Sequence, residues 1–385
     1  MRAEQARALL AAPELLAAAS PDDLRVGEQL RERWPADLVA AASEQVALRL
    51  RAAAKFDDAG AMLFTRAGLE QASMQVVAAH RARRFAEALA GSTGPLLDLC
   101  CGIGGDLVAL GAASPRGVVG VDRDEAHAVL ARHNARVCGV AAAVVVADVR
   151  DVRVEGVAAV FADPARRTAG GQTDRRGGYS PALDWCLALP AARVCVKTAP
   201  GLDRAAVPPG WEAEFVAVGR DLKEAALWSP AWAGGRARAS VLPSGDSLVA
   251  DPAAPPADVR PPGVFLLDPS PAVTRAGAVA DLAAATGTWQ VDRRIAFLCG
   301  DVAVRTPFAT SYAVEASLPF GVKALAAELR RLDIGAIDLR RRGLAGDVED
   351  LRRRLRPAGS RRATVMLTRV VDRPWTLVCT PLADA

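Results

Sequence analysis

The chain has 385 residues, of which 51% are hydrophobic and 24% are charged, with a formal net charge of +4. This length predicts two or three domains, and the composition excludes an intrinsically disordered protein. No run of about 18 uncharged apolar residues occurs, and Glu4 and Glu14 interrupt the apolar N-terminal segment, so we expect no membrane span, no signal peptide and a cytoplasmic location.

Residues 1–90 carry apolar side chains at helical spacing, and no strand pattern interrupts them, which predicts an N-terminal helical region. From Leu96 the pattern changes to seven short apolar runs separated by helical segments: LLDL, GVVGV, AAVVVA, VAAVFA, ARVCVK, WEAEFVAV and ARASVL. Such runs are typical of a mostly parallel sheet that is buried on both faces. Residues 91–250 are therefore expected to form one α/β domain.

Residues 251–263 are rich in proline, which excludes a helix or a central strand and predicts a linker between domains. Residues 264–385 mix helical and strand patterns and predict a C-terminal α/β region. Its last segment, ATVMLTRVVDRPWTLVCTPL, is expected to be a hairpin that turns near Asp372.

The segment PLLDLCCGIGGDL, residues 95–107, is the first candidate site. Its two adjacent cysteines do not predict a metal site, because tetrahedral zinc needs four ligands and the chain has only three histidines and no CxxC pair. The order of strand, glycine turn and helix instead predicts a cofactor-binding turn, since glycines let the backbone approach a ligand. The residues of this turn are Asp98, Cys100, Gly102, Gly104 and Gly105.

Two later strands also end in an acidic residue. Asp122 ends GVVGV and is suited to the hydroxyls of a ribose, and Asp148 follows AAVVVA and is suited to the amino group of an adenine. The carboxyl ends of parallel strands meet at one edge of a sheet, so Asp98, Asp122 and Asp148 are expected to share one crevice. Each Asp has the alternative role of capping the following helix.

The turn DLCCGIGG resembles the first motif of class I S-adenosylmethionine-dependent methyltransferases, in the D-x-x-C-G-x-G-G variant of the trimethylguanosine synthase group. The resemblance implies a Rossmann-like methyltransferase domain with a mostly parallel seven-stranded sheet and S-adenosyl-L-methionine as the cofactor. Cys100 stands where the family usually has glycine. The upstream segment AMLFTRAGLEQAS is similar to one that closes over the cofactor in the same group, which implies cofactor contacts for Phe64 and Thr65; a helix cap is the alternative for Thr65.

The fourth strand is followed by DPARR, residues 163–167, which is similar to the [N/D/S]-P-P-[Y/F/W] motif of amino-methylating members of the superfamily. The resemblance implies that Asp163 and Pro164 are catalytic, with Asp163 orienting the acceptor nitrogen or accepting its proton. The motif's aromatic residue is missing, and Tyr179 or the pair Trp228 and Trp232 are the candidates to replace it. The alternative is a surface loop with packed aromatic residues.

Arg166 and Arg167 follow the same motif and are candidates to hold a substrate phosphate. Their alternative is a structural salt bridge to Asp174 or Glu224. Lys197, after the fifth strand, is either a solvated charge or salt-bridge residue, or a substrate contact.

Residues 323–373 contain fourteen Lys and Arg against seven Asp and Glu, a net charge of +7. The segments ALAAELRRLDIGAIDLRRRG and RATVMLTRVVDRPWTLVCTPL resemble the THUMP-like domain of a group of bacterial methyltransferases, here about residues 315–385. THUMP domains bind RNA, so the resemblance implies an RNA substrate, and arginine-rich surfaces attract phosphates. A solvated surface without a ligand is the alternative.

The sequence therefore predicts a methyltransferase that modifies a base nitrogen in structured RNA, either tRNA or rRNA, with no metal and no membrane partner. The alternatives are a methyltransferase for a small molecule and a catalytically silent RNA-binding protein that retains the cofactor fold. The oligomeric state is left open.

Overall fold

A computed structural model describes residues 1–114, 116–166, 168–169, 172–173, 178–232, 234–344 and 348–382. The chain forms two compact units. The first comprises Met1–Glu212 and Glu224–Gly235, and the second comprises Ala213–Lys223 and Arg236–Ala385. The domain bounds predicted from the sequence stay predictions.

The first unit begins with helices, as the sequence predicts. They are α1 (Ala3–Leu10), α2 (Pro13–Ala18), α3 (Leu24–Arg31), α4 (Ala36–Ala52), α5 (Arg66–Gln71) and α6 (Gln75–Ala88). The helical pattern between α5 and α6 is broken because Ala72 adopts ψ 140°, which no helix allows. Buried side chains of α4, among them Leu48, pack with Phe56, Phe64 and Ile103 in one apolar cluster.

Strands and helices alternate from Leu96 onward. In chain order they are β1 (Leu96–Leu99), α7 (Gly105–Ala113), β2 (Val118–Asp122), α8 (Glu125–Val137), β3 (Ala142–Val146), a 3-10 turn (Val149–Asp151), β4 (Ala159–Ala162), β5 (Ala165–Arg166), β6 (Thr168–Ala169), β7 (Gln172–Thr173), β8 (Tyr179–Ser180), α9 (Leu183–Leu187), β9 (Val194–Thr198), a 3-10 turn (Arg204–Ala206), β10 (Glu212–Val218) and β11 (Asp221–Trp228).

Within the first unit the sheet strands lie in the order β3-β2-β1-β4-β9-β11. All neighbours are parallel except β11, whose Ala225–Trp228 segment pairs antiparallel with β9. β1 and β4 are buried along their whole length, which explains their continuous apolar sequences. The chain reverses its direction of travel across the sheet beside β1, and ligands of open α/β sheets bind at such a point.

The second unit contains the remaining elements. They are β12 (Ala237–Leu242), β13 (Asp246–Val249), β14 (Phe265–Pro269), α10 (Pro271–Ala276), α11 (Val279–Thr286), β15 (Trp289–Gln290), β16 (Leu298–Gly300), β17 (Ala309–Pro319), α12 (Val322–Arg331), β18 (Ile334–Arg341), α13 (Val348–Leu355), β19 (Arg361–Val370) and β20 (Arg373–Pro381). β10 and β12 are parallel, and β13 is antiparallel to β12. The predicted terminal hairpin is confirmed as β19 and β20.

The second unit also has a seven-stranded sheet in the order β15-β16-β14-β17-β20-β19-β18. Its neighbours are antiparallel except β18 and β19, which are parallel. Helices α12 and α13 bury Leu325, Leu329, Leu351 and Leu355 in one cluster with residues of this sheet. The predicted C-terminal α/β region is therefore confirmed.

Among the described residues, two strands beyond the predicted seven pair with these strands, so the predicted number is wrong. Each of the seven apolar runs forms a strand, and the two additional strands are β11 and β13. The sequence of β11, DLKEAALW, contains good helix formers, but four of its last residues are at most 1% exposed. Burial in the sheet overrides the helix propensity of these residues.

Candidate active site

A cavity of about 800 Å³ lies in the first unit at the carboxyl ends of the parallel strands. Its walls come from the turn after β1, the end of β2, the turn after β3, the segment after β4 and the end of β9. This is the edge of the sheet at which the sequence placed the cofactor crevice. Its volume falls within the range of typical small-molecule sites, roughly 300–1,000 Å³.

The turn after β1 owes its path to three residues with positive φ: Cys100 (64°), Gly102 (53°) and Gly104 (86°). A Cβ atom on Gly104 would lie 3.1 Å from the Cα of Ala131 in α8, so this glycine permits close packing of two helices. A Cβ on Gly102 would meet no atom within 4 Å. Cys100, Gly102 and Gly105 line the cavity, and Gly105 begins α7.

Asp122 lies on the cavity wall and is held by backbone groups from both sides. The Gly102 N–H donates to its Oδ2 at 2.8 Å, and the Asp124 N–H donates to its Oδ1 at 2.9 Å. Burial alone would raise the pKa of Asp122, but the nearby His127 and the hydrogen bonds from these backbone groups lower it. Asp122 is therefore an ionised acceptor with lone pairs left for the hydroxyls of a sugar.

His127 shares this corner of the cavity, with its Nδ1 3.8 Å from Asp122 Oδ1. The nearby Asp122 carboxylate raises the pKa of His127 above its ordinary value, against the opposing effect of burial. The sequence reasoning missed His127. Its position in the first turn of α8, five residues after Asp122, is a signal that could have identified it.

Asp98 is fully buried and does not line the cavity. Neither of its carboxylate oxygens has a hydrogen-bond partner among the described residues. Burial raises the pKa of Asp98 well above its usual range, and the negative charge of nearby Asp163 adds to this effect. A buried carboxyl without partners is costly unless another group satisfies it.

Asp148 lines the cavity, but local groups already engage its carboxylate. It caps the 3-10 turn after β3 by accepting from the Arg150 N–H, and the Arg150 Nε and Nη2 donate to it at 2.9 and 2.6 Å. These hydrogen bonds from Arg150 lower its pKa. The capping alternative therefore describes the local geometry of Asp148, and its contact with an adenine stays a prediction.

The two residues expected to close over the cofactor lie beside the cavity rather than in its wall. Phe64 is fully buried in the core, and both its backbone groups hydrogen-bond to Gln45. Thr65 caps α5 by accepting from the Gly68 N–H at 2.9 Å. Helix α5 itself reaches the cavity through Gly68 and Gln71. Neither predicted side chain is on the lining.

Asp163 and Pro164 line the cavity directly after β4. The Lys197 Nζ donates to Asp163 Oδ2 at 2.7 Å, and the Lys197 side chain is only 12% exposed. The salt-bridge alternative for Lys197 is therefore correct, and its partner is the predicted catalytic residue. Lys197 lines the same cavity, which gives this ion pair direct access to a bound substrate.

The aromatic residue that the DPARR segment lacks is available from a neighbouring strand. β5 pairs with β8 so that Arg166 lies opposite Tyr179, and both residues line the cavity. The Tyr179 hydroxyl accepts from the Ala199 N–H at 2.9 Å, which fixes the position of the ring. Arg167 and Asp174 lie outside the described residues.

Trp228 and Trp232 do not reach the cavity, so the prediction that they replace the missing aromatic is wrong. They pack against each other and against Phe85 with ring centroids 4.8 to 5.6 Å apart. Trp185 in α9 does line the cavity, and the sequence reasoning missed it. Its short helix lies between two coil segments and gives no pattern that would reveal its orientation.

A buried ion network lies beside the cavity. Arg81 is 2% exposed and binds both Asp106 and Glu224, while the Ser73 hydroxyl donates to these carboxylates at 3.0 and 3.3 Å. The Arg81 guanidinium also stacks on the ring of Phe161, with its Cζ 4.5 Å from the ring centroid. Asp106 belongs to the cavity wall, so this network joins α6, α7 and β11 at the site. The alternative partner proposed for Arg166 at Glu224 is therefore wrong, because Arg81 occupies that position.

Within the described part of the chain, no cluster of three potential metal ligands occurs. No helix of that part is long and apolar enough to cross a membrane.

Comparison with known proteins gives two family matches. The family described as RNA cap guanine-N2 methyltransferase matches residues 93–163, and the family described as THUMP domain-like matches residues 309–381. The first match ends at Asp163, and the second covers β17 to β20.

Two curated relatives from Mycobacterium tuberculosis, of the strains CDC 1551 / Oshkosh and H37Rv, are described as uncharacterised S-adenosylmethionine-dependent methyltransferases. Each is 39% identical over 340 residues, which is 85% of this chain and 92% of the relative. The crystal structure of a protein from Porphyromonas gingivalis W83, assigned as a methyltransferase, is 19% identical and has a TM-score of 0.74 with full coverage of both chains. This similarity extends the fold likeness to the whole chain.

Proposed function

The chain belongs to the S-adenosylmethionine-dependent methyltransferases, and we propose that it transfers the methyl group to a nitrogen of an RNA base. The observation that carries the proposal is the position of Asp163 and Pro164 in the wall of the cofactor cavity, which Tyr179 of β8 also lines. An acidic residue followed by proline, next to an aromatic ring, is suited to a planar amino acceptor.

The residues of the cavity fit this cofactor. Asp122 is an ionised acceptor suited to two sugar hydroxyls, and the Gly102 position is open to a close backbone approach. Asp98 is fully buried outside the cavity lining, so its predicted direct contact with the cofactor is not part of this proposal. We assign Cys100, Gly102, Gly104 and Gly105 to the turn that would hold the cofactor, with Asp148 as a further acceptor.

When bound, S-adenosylmethionine supplies a methyl group that a nucleophilic nitrogen can attack without covalent catalysis. The residues of the chain then mainly align the nucleophile and accept its proton. Asp163 Oδ2 is occupied by Lys197, so Oδ1 is the oxygen that would accept a hydrogen bond from the acceptor nitrogen. In this assignment Asp163 both orients the nitrogen and receives its proton as the new C–N bond forms.

The RNA class of substrate rests on both family matches and on the positive charge of residues 323–373. Part of that net charge is neutralised from outside the segment, because Arg361 pairs with Glu315. Arg166, which is exposed on the cavity wall, would contact a phosphate near the acceptor base.

The test is incubation of the purified protein with methyl-tritiated S-adenosylmethionine and total RNA from a strain that lacks the gene. Label that depends on the wild-type protein and that RNase releases would establish an RNA methyltransferase, and nucleoside analysis would then identify the base. Asp163→Ala is expected to bind the cofactor and transfer no label. Label on small metabolites only would favour the small-molecule alternative, and cofactor binding without any label would favour a silent RNA-binding protein.

A further inference from the structure

A second cavity of about 290 Å³ lies beside the cofactor cavity in the first unit. The two cavities share two lining residues, Arg150 and Trp185, which form a common wall. Beyond this wall the second cavity is lined by apolar residues, including Val154 and Leu189, and by three charged residues. No step of the proposed methyl transfer uses it.

Both residues of the common wall offer a flat stacking surface. Trp185, whose side chain is an indole, lines both cavities. The Arg150 guanidinium is held by two parallel hydrogen bonds to Asp148, at 2.9 and 2.6 Å, so its plane is fixed although the side chain is 64% exposed. Aromatic rings and arginine planes are the surfaces on which unpaired bases stack in complexes with RNA.

The rim of the second cavity carries charges of both signs. Arg153 is exposed there and is suited to a phosphate, while Asp151 and Glu155, also exposed, are suited to the amino groups of a base. An apolar floor, a stacking wall and this mixed rim match a nucleotide better than a purely apolar ligand or a free phosphate.

We propose that the second cavity binds the base of the nucleotide next to the methylated one, so that Trp185 lies between two neighbouring bases of an RNA chain. This inference rests on the proposed function, because it assumes an acceptor base in the first cavity. It adds a requirement that the function alone does not impose: the substrate must be at least a dinucleotide. Trp185 then acts as a specificity-determining residue for a polymeric substrate.

Ala188→Trp tests the inference, because Ala188 is exposed and lines only the second cavity. The matched control is Ala192→Trp, an exposed alanine four residues later that lines neither cavity. The probes are a short fluorescein-labelled single-stranded RNA of mixed sequence and guanosine monophosphate. Filling the second cavity should weaken RNA binding about tenfold, the size of one lost stacking interaction. The affinity for the cofactor should not change, and guanosine monophosphate should lose less affinity than the RNA does, because the first cavity stays open to it.

Trp185→Ala should weaken RNA binding at least as much as Ala188→Trp. If Ala188→Trp binds the RNA as tightly as Ala192→Trp does, the inference is overturned, whatever the labelling experiment shows. If wild-type protein labels no RNA but its RNA binding depends on position 188, the proposed function fails and the binding subsite is supported. The two failures are therefore distinguishable.

Discussion

Lys197 and Asp163 form an ion pair in the wall of the cofactor cavity, with Nζ 2.7 Å from Oδ2. The pair follows from the parallel register of β4 and β9, which aligns Ala162 with Val196 and so brings the next residue of each strand side by side. Because Lys197 binds Oδ2 of Asp163, this contact also sets the orientation of Oδ1. The orientation of the proposed proton acceptor therefore depends on a residue 34 positions away in the chain.

Lys197→Met is expected to lower the rate of methyl transfer by roughly 100-fold, the lower end of what a positioned acid or base contributes. Cofactor affinity should stay the same, since Asp122 and the glycine turn are untouched. The measurements are tritium transfer to RNA and a cofactor titration. Lys197→Arg should retain part of the rate, and Lys223→Met, which removes a lysine from an exposed pair with Asp221, is the control. A Lys197→Met variant with full rate would contradict the positioning role.

Asp122→Asn is expected to weaken cofactor binding about tenfold, because a charge-assisted hydrogen bond contributes more than a neutral one, by roughly 1–1.5 kcal/mol. Isothermal titration with S-adenosylmethionine measures the change. Glu125→Gln is the matched control, since Glu125 lies three residues later, is exposed and pairs with Arg7 instead of lining the cavity. Equal affinities for the two variants would remove Asp122 from the cofactor site.

His127 gives the site a predicted pH dependence. Its pKa is raised by Asp122, so its stabilising contribution is fully present below its unfolded pKa of about 6.5 and is lost as pH rises through the folded value. The pKa of Asp122 is lowered, so its contribution is present above about 4 and is lost as pH falls further. His127→Asn should therefore cost more stability near pH 5.5 than near pH 8.5, by about half a kcal/mol.

Urea unfolding at the two pH values measures this difference, with His133→Asn as the control. Burial lowers the pKa of His133, so the wild-type protein loses stability at this position as pH falls, and removing the histidine should have the opposite pH trend. Parallel trends for the two variants would contradict the pairing of His127 with Asp122.

The sequence predicted the edge of the sheet where the site lies, because strand ends and a glycine turn are local patterns. Asp122 and Asp163 are at the cavity for this reason. The role of each acid was not equally predictable. Asp148 is engaged by Arg150, two residues away, whereas the partner of Asp163 depends on the register of two distant strands. Local capping can be deduced from adjacent residues, but cross-strand pairing cannot.

Aromatic residues were predicted least well. Tyr179 lies at the cavity because the two-residue strands β5 and β8 pair. Trp228 packs against Phe85 in the core. The spacing of these aromatic residues has neither a helical nor a strand period. The sequence therefore contains no signal that separates an aromatic ring in the core from one at the site. The same holds for Trp185, which lines the cavity because α9 lies beside it.

Cys100→Gly is expected to stabilise the protein. Cys100 has φ 64° at the position where the family usually has glycine, and a non-glycine residue in this region costs about 1 kcal/mol. Removing the strain should raise the melting temperature by roughly 2–4 °C. Cys138→Gly, at a helix end with φ −83°, relieves no strain and should not stabilise. A lower melting temperature for Cys100→Gly would mean that contacts of the thiol outweigh the strain.

Arg81→Met is expected to destabilise the protein by about 3–5 kcal/mol, because it leaves Asp106 and Glu224 buried without their cation. Urea unfolding measures the loss, and Arg51→Met, which breaks an exposed pair with Glu70, should cost less than about 1 kcal/mol. If Arg81→Met does not fold, Arg81→Lys, which keeps the charge, should unfold at lower urea than wild type. The triple change Arg81→Met, Asp106→Asn and Glu224→Gln should recover much of the loss, since no buried charge remains. If Arg81→Met is as stable as Arg51→Met, water or other groups compensate the charges of the two carboxylates. Asp106 would then not be fixed in the cavity wall by this network.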